Sequence, residues 1–356
     1  MIEGLKREGF EVVECHETLW QGFEDRVEVA NGGWMNPRFW FRIIQNYAKL
    51  LTRFFKIRDY QAIIVGYPGH FDVFVAYLLS LIVRKPLVWD VFNSLYLMMI
   101  EQGVGTKSPV TIKLVKFFER LACRLPQSLI LDNDVFIDWF RETHRINTSR
   151  FRTVQIGADD RYFYPIEPKH KPDGKFRVVY YGTYIPNHGV EYIIDAARLL
   201  ADDPAIEFVM IGKGPEREKA EKLASTHQLK NVEFIDWIEW TQLSACIADM
   251  DLVLGAFGIS KQLQLTNNNK IYEAFAMRKP VVSSTSAAMP SVLHHGEHLY
   301  LCERGSSQAL ANAIRTLKND PALCVKLAEN GHRVFFEHFD IAHSGARFKS
   351  HVLEIL

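Results

Sequence analysis

Short apolar runs that alternate with helix-period segments, and do so in two separate stretches, constrain this chain more than any other feature. In the second half, Phe176–Tyr181, Ile206–Ile211, Val232–Ile235, Asp251–Leu254 and Val281–Ser284 are apolar runs of strand length. Helical patterns separate them at Val190–Leu200, Arg217–Thr226, Thr241–Ala248 and from about Lys270. Strands joined by helical crossovers pair in parallel. The first half shows the same spacing, with strands at Ala62–Val65, Pro86–Trp89 and Ser128–Leu131. A chain of 356 residues exceeds one ordinary core, so the pattern predicts an α/β protein of two similar domains facing each other. The polar, Pro- and Lys-rich segment Pro165–Lys175 reads as the linker. From Ser307 onward the apolar spacing is helical.

The beginning of the chain is unusual. MIEGLKREG reads as a helix end that stops at Gly9, and FEVVEC as a strand. In a doubly wound domain the first strand lies centrally, so the expectation is that a strand and turn precede Met1 in the natural protein. Trp34–Arg58 carries six basic residues and no acid. Trp40, Ile43, Ile44, Tyr47, Ala48, Leu51 and Phe55 recur at helical spacing, with Arg42, Lys49, Arg53 and Lys56 opposite. Two readings stand: a helix that covers a sheet with its basic face in water, or one resting on an anionic membrane with Trp34, Phe39 and Phe41 as anchors. A second basic helix, Ile112–Arg124, leans towards the membrane. The apolar run Val73–Val83 is too short to span a bilayer.

Charge and cysteines exclude other classes. Forty-two Lys and Arg against forty-two Asp and Glu argue against a nucleic-acid binder. Five cysteines with no CxxC spacing read as reduced thiols of a cytoplasmic protein, not a disulfide framework or zinc site.

The segment GAFGISKQLQLTNNNKIYEAFAMRKPVVSS, Gly255–Ser284, carries the most chemistry. It runs from a buried strand through a polar loop into a short helix whose apolar face is Ile271, Ala274 and Phe275. Arg278 and Lys279 are expected in its last turn, with Pro280 stopping it. Glu273 near the helix start suits the grip of a ribose diol, with Lys270 one turn earlier beside a phosphate. The same spacing equally describes a surface ion pair. In an open α/β sheet ligands gather at the carboxyl ends of strands, which directs His70, Asp72, Asp90 and Asn93 to one crevice. His70 reads as a general acid or base or an anion partner, or as a hydrogen-bonded structural histidine.

Taken together, YYGTYIPNHGVEYIIDAARLL, FVMIGKGPE, VEFIDWI, ADMDLVLGAFG and NKIYEAFAMRKPVV, in this order and spacing, resemble glycosyltransferase family 4, whose members are retaining enzymes. VQIGADDRYFYP is similar to that family's entry into the donor domain. The resemblance implies the GT-B architecture: two Rossmann-like domains about a cleft, the first here lacking its first strand. It implies an acceptor domain at 1–164, a linker at 165–175, a nucleotide-sugar domain at 176–340, and a final helix, 341–356, crossing back. Glu273 then matches the ribose carboxylate and Lys270 a lysine facing the donor. Gly182 and Thr183 match the loop under the diphosphate, Gly212 and Gly214 the second glycine turn, and Trp237 with Ile238 the segment lining the base. His188 and Gly258 fall in donor-side loops, and His70 in the acceptor-side loop. The implied partners are a nucleotide-diphosphate sugar and a glycan or lipid-linked acceptor, with no metal and no further cofactor; the site chemistry is carried by Lys270 and His70.

The sequence also departs from the family. Leu265 stands where many members carry a sugar-contacting acid, and Thr183 and His188 where many carry an arginine and a lysine. A leaving diphosphate needs cationic or amide stabilisation, for which Lys270, Lys261, protonated His188 and the amides of Gly182 and Thr183 are candidates. A non-catalytic nucleotide-sugar-binding subunit and a sugar-nucleotide epimerase are the alternatives. GKGPER fails as a dinucleotide fingerprint because Arg217 replaces the third glycine. Asp249-Met250-Asp251 and Asp132-Asn133-Asp134 read as strand-flanking acids rather than metal-holding DxD strings. His294, His295 and His298 read as an incidental surface cluster.

Overall fold

The computed structural model describes residues 1–18, 37–169 and 173–356. Trp34 of the expected membrane segment and 170–172 of the expected linker lie outside the described residues. Helices α1 (Ile2–Arg7) and α2 (Pro37–Phe54) precede the first sheet. Its elements follow as β1 (Ile63–Val65), α3 (Asp72–Val83), β2 (Leu87–Asp90), α4 (Leu95–Glu101), α5 (Val104–Lys107), α6 (Pro109–Ala122), β3 (Ser128–Leu131), α7 (Asp134–His144) and β4 (Phe151–Thr153). The strands are parallel and lie in chain order, β1-β2-β3-β4.

A second parallel sheet contains β5 (Phe176–Tyr181), β6 (Ile206–Ile211), β7 (Val232–Ile235), β8 (Leu252–Leu254), β9 (Val281–Ser284) and β10 (Tyr300–Cys302). The crossovers are α8 (Val190–Leu199), α9 (Arg217–Thr226) and α10 (Trp240–Ala248), then α11 (Lys261–Leu265) with α12 (Asn269–Ala276). After β10 come α13 (Ser307–Asn319), α14 (Pro321–His338) and α15 (Ile341–Leu353). The order β10-β9-β8-β5-β6-β7 reverses between β5 and β8, the switch point at which doubly wound sheets bind ligands. Strand alternation divides the core in two. Val178 and Tyr180 pack towards α8 and α13, while Val179 and Tyr181 pack towards α12 and α14. The fold is therefore GT-B, two Rossmann-like α/β units. The last helix, α15, returns to the first sheet, where Phe348 and Val352 join Leu5, Val88 and Ile130 in one cluster.

Three local expectations need correction. FEVVEC forms no strand: residues 10–18 join neither sheet among the described residues, and Phe10 and Val12 pack on the Leu5 cluster. A strand exists only where a partner supplies its hydrogen bonds. Helix α12 ends at Ala276, before Arg278 and Lys279. Arg278 takes a left-handed φ of 57° and pairs with Glu329, and Lys279 Nζ donates to the carbonyls of Ala248 and Met250. The polar loop between β8 and α12 contains a helix of its own, α11, started by the Ser260 side chain accepting from the Leu263 amide.

Candidate functional site

A cavity of about 380 Å³ lies between the two sheets. Its floor is built by the turns after β5 and β6. Gly182 has φ 132° and Gly212 φ 125°, and a Cβ on Gly212 would stand 2.0 Å from the Gly182 carbonyl oxygen. Only glycine allows the two turns to cross so closely. The two glycine turns thus present backbone to the cavity, while Tyr181 and Ile211, the last residues of β5 and β6, also line it.

Helix α12 points its amino end into the cavity, which Thr266, Asn267, Asn268 and Asn269 line. Asn268 caps it by accepting from the Lys270 amide at 3.1 Å. Lys270 and Glu273 follow one turn apart and are only 5 % and 7 % exposed. The surface-pair alternative is thereby removed: both side chains face the cleft. Lys270 holds Nζ 4.6 Å from the centre of the Tyr180 ring. Burial lowers its pKa to about 8. Glu273 accepts a hydrogen bond from Tyr181 Oη at 2.8 Å. Burial raises its pKa, opposed by that bond and by Lys270.

Gly182, Thr183, His188, Gly212, Trp237, Ile238, Lys270 and Glu273 therefore share one cavity wall. Gly214 and Gly258 are outside the lining: Gly214 abuts the backbone of Tyr184, and Gly258 the backbone of Asn187 and Gly189. His188 lines the cleft but does not serve as the expected cation. Its Nδ1 lies 2.8 Å from Tyr180 Oη, and burial with the Lys270 charge pushes its pKa well down. Lys261 is exposed and outside the lining. Lys270 is the one lysine or arginine among the described lining residues.

The first sheet contributes Phe92, Asn93 and Asp132 to the opposite wall. Asn93 Oδ1 accepts from Gln262 Nε2 at 3.2 Å, which ties that wall to α11. Asp132, expected to be a strand-flanking acid, is buried in the cavity wall and accepts from Asn133 Nδ2 at 2.9 Å. Burial raises its pKa and that of Asp90, at the end of neighbouring β2, to about 6. Asp72 lies elsewhere, exposed and bound by Tyr47 Oη. His70 stands behind the wall and is absent from its lining. Nδ1 is 2.7 Å from the Pro68 carbonyl oxygen, and Nε2 is 3.0 Å from that of Asn93 and 3.5 Å from Glu119 Oε1. Its nitrogens are engaged with the protein, so the geometry suits a residue that positions the Asn93 loop.

Sequence reasoning missed four lining groups. Tyr181 and Asp132 sit at strand ends, where only topology shows which face they take. Asn187 Oδ1 and Asn267 Oδ1 are buried and accept no hydrogen bond within the described residues. Both line the cavity, and such acceptors are suited to sugar or ribose hydroxyls. The TNNNK run was the available signal for Asn267. The other acids and histidines are structural. Asp249 accepts from the Lys169 amide and Asp251 from that of Arg177. His295 and His298 accept from amides of their own segment.

The two-sheet cleft of this GT-B fold has a glycine floor, a helix amino end, one buried lysine and one buried glutamate, groups that suit an anionic, hydroxyl-rich ligand. Residues 166–334, a little under half of the chain, match the family model described as glycosyl transferases group 1. Among curated proteins it is 26 % identical to the alpha-D-kanosaminyltransferase of Streptomyces kanamyceticus, over 72 % of this chain and 67 % of that protein. It is 27 % identical to the lipopolysaccharide core biosynthesis glycosyltransferase LpsE of Rhizobium meliloti, over 44 % of each chain. The match thus spans about two thirds of the first relative and under half of the second. Among solved structures, Anabaena HepE in complex with UDP and glucose aligns with a TM-score of 0.68 at 18 % identity, over 91 % of this chain and 83 % of that one. The sucrose-phosphate synthase of Thermosynechococcus elongatus aligns at 0.69 and 16 % identity, over 87 % and 77 %. These two likenesses concern the fold.

Proposed function

We propose that the protein is a retaining glycosyltransferase that moves a sugar from a nucleotide-diphosphate sugar to an acceptor hydroxyl, in cell-surface polysaccharide or glycolipid synthesis. The observation that carries the proposal is the burial of Lys270 and Glu273 side by side in the cleft wall. Glu273 would accept from the ribose diol while Tyr181 orients it, and Trp237 and Ile238 would line the base. Lys270, the α12 amino end and the Gly182 loop would hold the diphosphate. The acceptor hydroxyl would attack the anomeric carbon from the donor face as the bond to the diphosphate oxygen breaks. That oxygen takes the hydroxyl proton, and the cleft excludes water. No side-chain nucleophile and no metal is invoked.

Residues 1–164 are proposed as the acceptor domain and 176–340 as the donor domain, with 165–175 linking them and 341–356 returning to the first. Relatives named for polysaccharide and lipopolysaccharide synthesis support a glycan or lipid-linked acceptor. We place a peripheral membrane contact on α2, where Phe41 and Ile44 are exposed between basic residues; among the described residues no helix is long and apolar enough to cross a membrane. The test is Glu273→Ala, for which loss of donor-induced thermal stabilisation and of transfer is expected; full donor affinity and turnover in this variant would exclude the assignment. The single lining lysine favours a second reading, a nucleotide-sugar-binding subunit, which donor binding with no transfer or hydrolysis would select.

A further inference from the structure

The first sheet carries an apolar ridge that the proposed chemistry does not use. Helix α3 reads DVFVAYLLSLIV, apolar on nearly every side after Asp72, a composition normally found in a buried helix. Yet Leu78, Leu81 and Ile82 on α3, with Val110, Leu114 and Phe117 on α6, are between 51 % and 68 % exposed. The rows adjoin. Phe74, one turn before Leu78, meets Phe118, next to Phe117, edge to face with ring centres 6.3 Å apart. Scattered apolar side chains are ordinary on a surface, but two contiguous rows mark an interaction site.

Charge identifies the partner. Lys113, Lys116, Arg120 and Arg124 accompany the α6 row, and Arg84 and Lys85 close α3. Glu119, the acid within α6, is buried, so it offers no compensating charge at the surface. Residues 37–124 hold thirteen Lys and Arg against five Asp and Glu, whereas the whole chain has forty-two of each. A second copy of the chain would set these cations against one another. An anionic bilayer instead receives the apolar rows in its interface and the cations among its headgroups.

We infer that the α3–α6 ridge docks the protein on an anionic lipid bilayer. The ridge is made of other residues than the α2 contact proposed above, although Tyr47 of α2 donates to Asp72 at the start of α3, and it owes nothing to the donor site. It would turn the face of the first sheet's helices to the lipid, next to which a lipid-linked acceptor is presented.

The experiment is co-sedimentation of the full chain with phosphatidylcholine vesicles, with and without phosphatidylglycerol. Binding is expected only with phosphatidylglycerol and should weaken as salt rises. Leu114→Glu/Phe117→Glu and, separately, Leu81→Glu/Ile82→Glu should each bind roughly tenfold more weakly or worse. Both should keep the donor-induced thermal shift, which shows them folded; two pairs on different helices keep the test decisive should one misfold. Phe41→Glu/Ile44→Glu on α2 should bind more tightly than either ridge variant. Failure of the chain to bind phosphatidylglycerol vesicles would overturn the inference. So would unchanged binding in the folded ridge variants; if the α2 variant alone then loses binding, the α2 contact stands without the ridge. A dimer in sedimentation that the ridge substitutions split would also overturn it.

Discussion

Gly182 and Lys270 are fitted to each other. A methyl group on Gly182 would stand 3.1 Å from Lys270 Cε and 3.3 Å from Nζ, and the glycine adopts φ 132°. Gly182→Ala therefore strains the turn and displaces the lysine together. The expected outcome is a folded protein less stable by about 1–3 kcal/mol, with donor affinity roughly tenfold lower. Chemical denaturation and donor titration check the two effects separately. An alanine variant with unaltered donor affinity would remove Lys270 from the donor site.

Lys270 also sets a pH dependence. Burial lowers its pKa to about 8 from an ordinary 10.5, so the unfolded chain binds the proton more tightly. Its burial thus costs stability at neutral pH, and this cost is relieved as pH rises from about 8 towards 10.5. On the proposed reading donor affinity moves in the opposite direction, because a diphosphate would bind the charged form, which the free protein loses above about 8. Calorimetric titration across that range should show affinity falling with pH, together with proton uptake on binding. Lys270→Met should bind weakly with that component absent.

Behind the wall that the first sheet gives the cavity, Glu119 is held by Ser94 Oγ at 2.8 Å, the Leu95 amide at 2.6 Å, and His144 Nε2 at 2.9 Å, with His70 Nε2 at 3.5 Å. Burial would raise its pKa, but the neighbouring His144 and His70 rings and the Ser94 hydroxyl prevail and hold it at about 2. For His70, burial opposes the charge while Glu119 and the Pro68 carbonyl raise the pKa above 6.5. The Glu119 contribution is full above pH 4.5 and disappears as pH falls through about 2. The His70 contribution is full below 6.5 and fades as pH rises through its folded value. Glu119→Gln should cost about 3–5 kcal/mol in equilibrium unfolding and abolish the loss of stability that the wild type shows on the alkaline side of 6.5.

The strands and most crossovers were legible because apolar runs and helical periods are local signals, and the α12 start because asparagine caps it. The burial of Lys270 and Glu273 was not, since three-residue spacing is the same on an exposed helix and on one facing a cleft. FEVVEC shows the reverse limit: its residues favour a strand, but a strand depends on a neighbour that local sequence does not specify. Asp132 and Asn187 took their places in the site only when the two sheets were brought face to face, whereas the TNNNK run gave a local signal for Asn267. Arg217 was read only as a missing glycine. It donates to the carbonyls of Gly212 and Ile235, fastening the second glycine turn to β7.

Leu265 gives the sharpest contrast between alignment and environment. Its position suggested a lost sugar-contacting acid, yet the side chain is buried in the first sheet's core with Val65, Leu131 and Phe136. Its carbonyl accepts from Asn133 Nδ2 at 2.9 Å, and three residues earlier the Gln262 amide donates to Glu101 Oε1 at 2.7 Å. Helix α11 is thus a bridge between the two sheets, and an apolar residue at 265 is what the bridge requires. Leu265→Glu should therefore fail to restore a sugar contact. Burying the new carboxylate there should cost about 2–4 kcal/mol in denaturant unfolding and open the cleft, seen as a larger radius of gyration in X-ray scattering. Leu265→Met, which keeps volume and apolarity, should cost less than about 1.5 kcal/mol and leave the cleft closed. A Leu265→Glu protein with wild-type stability and tighter donor binding would return the position to the sugar site.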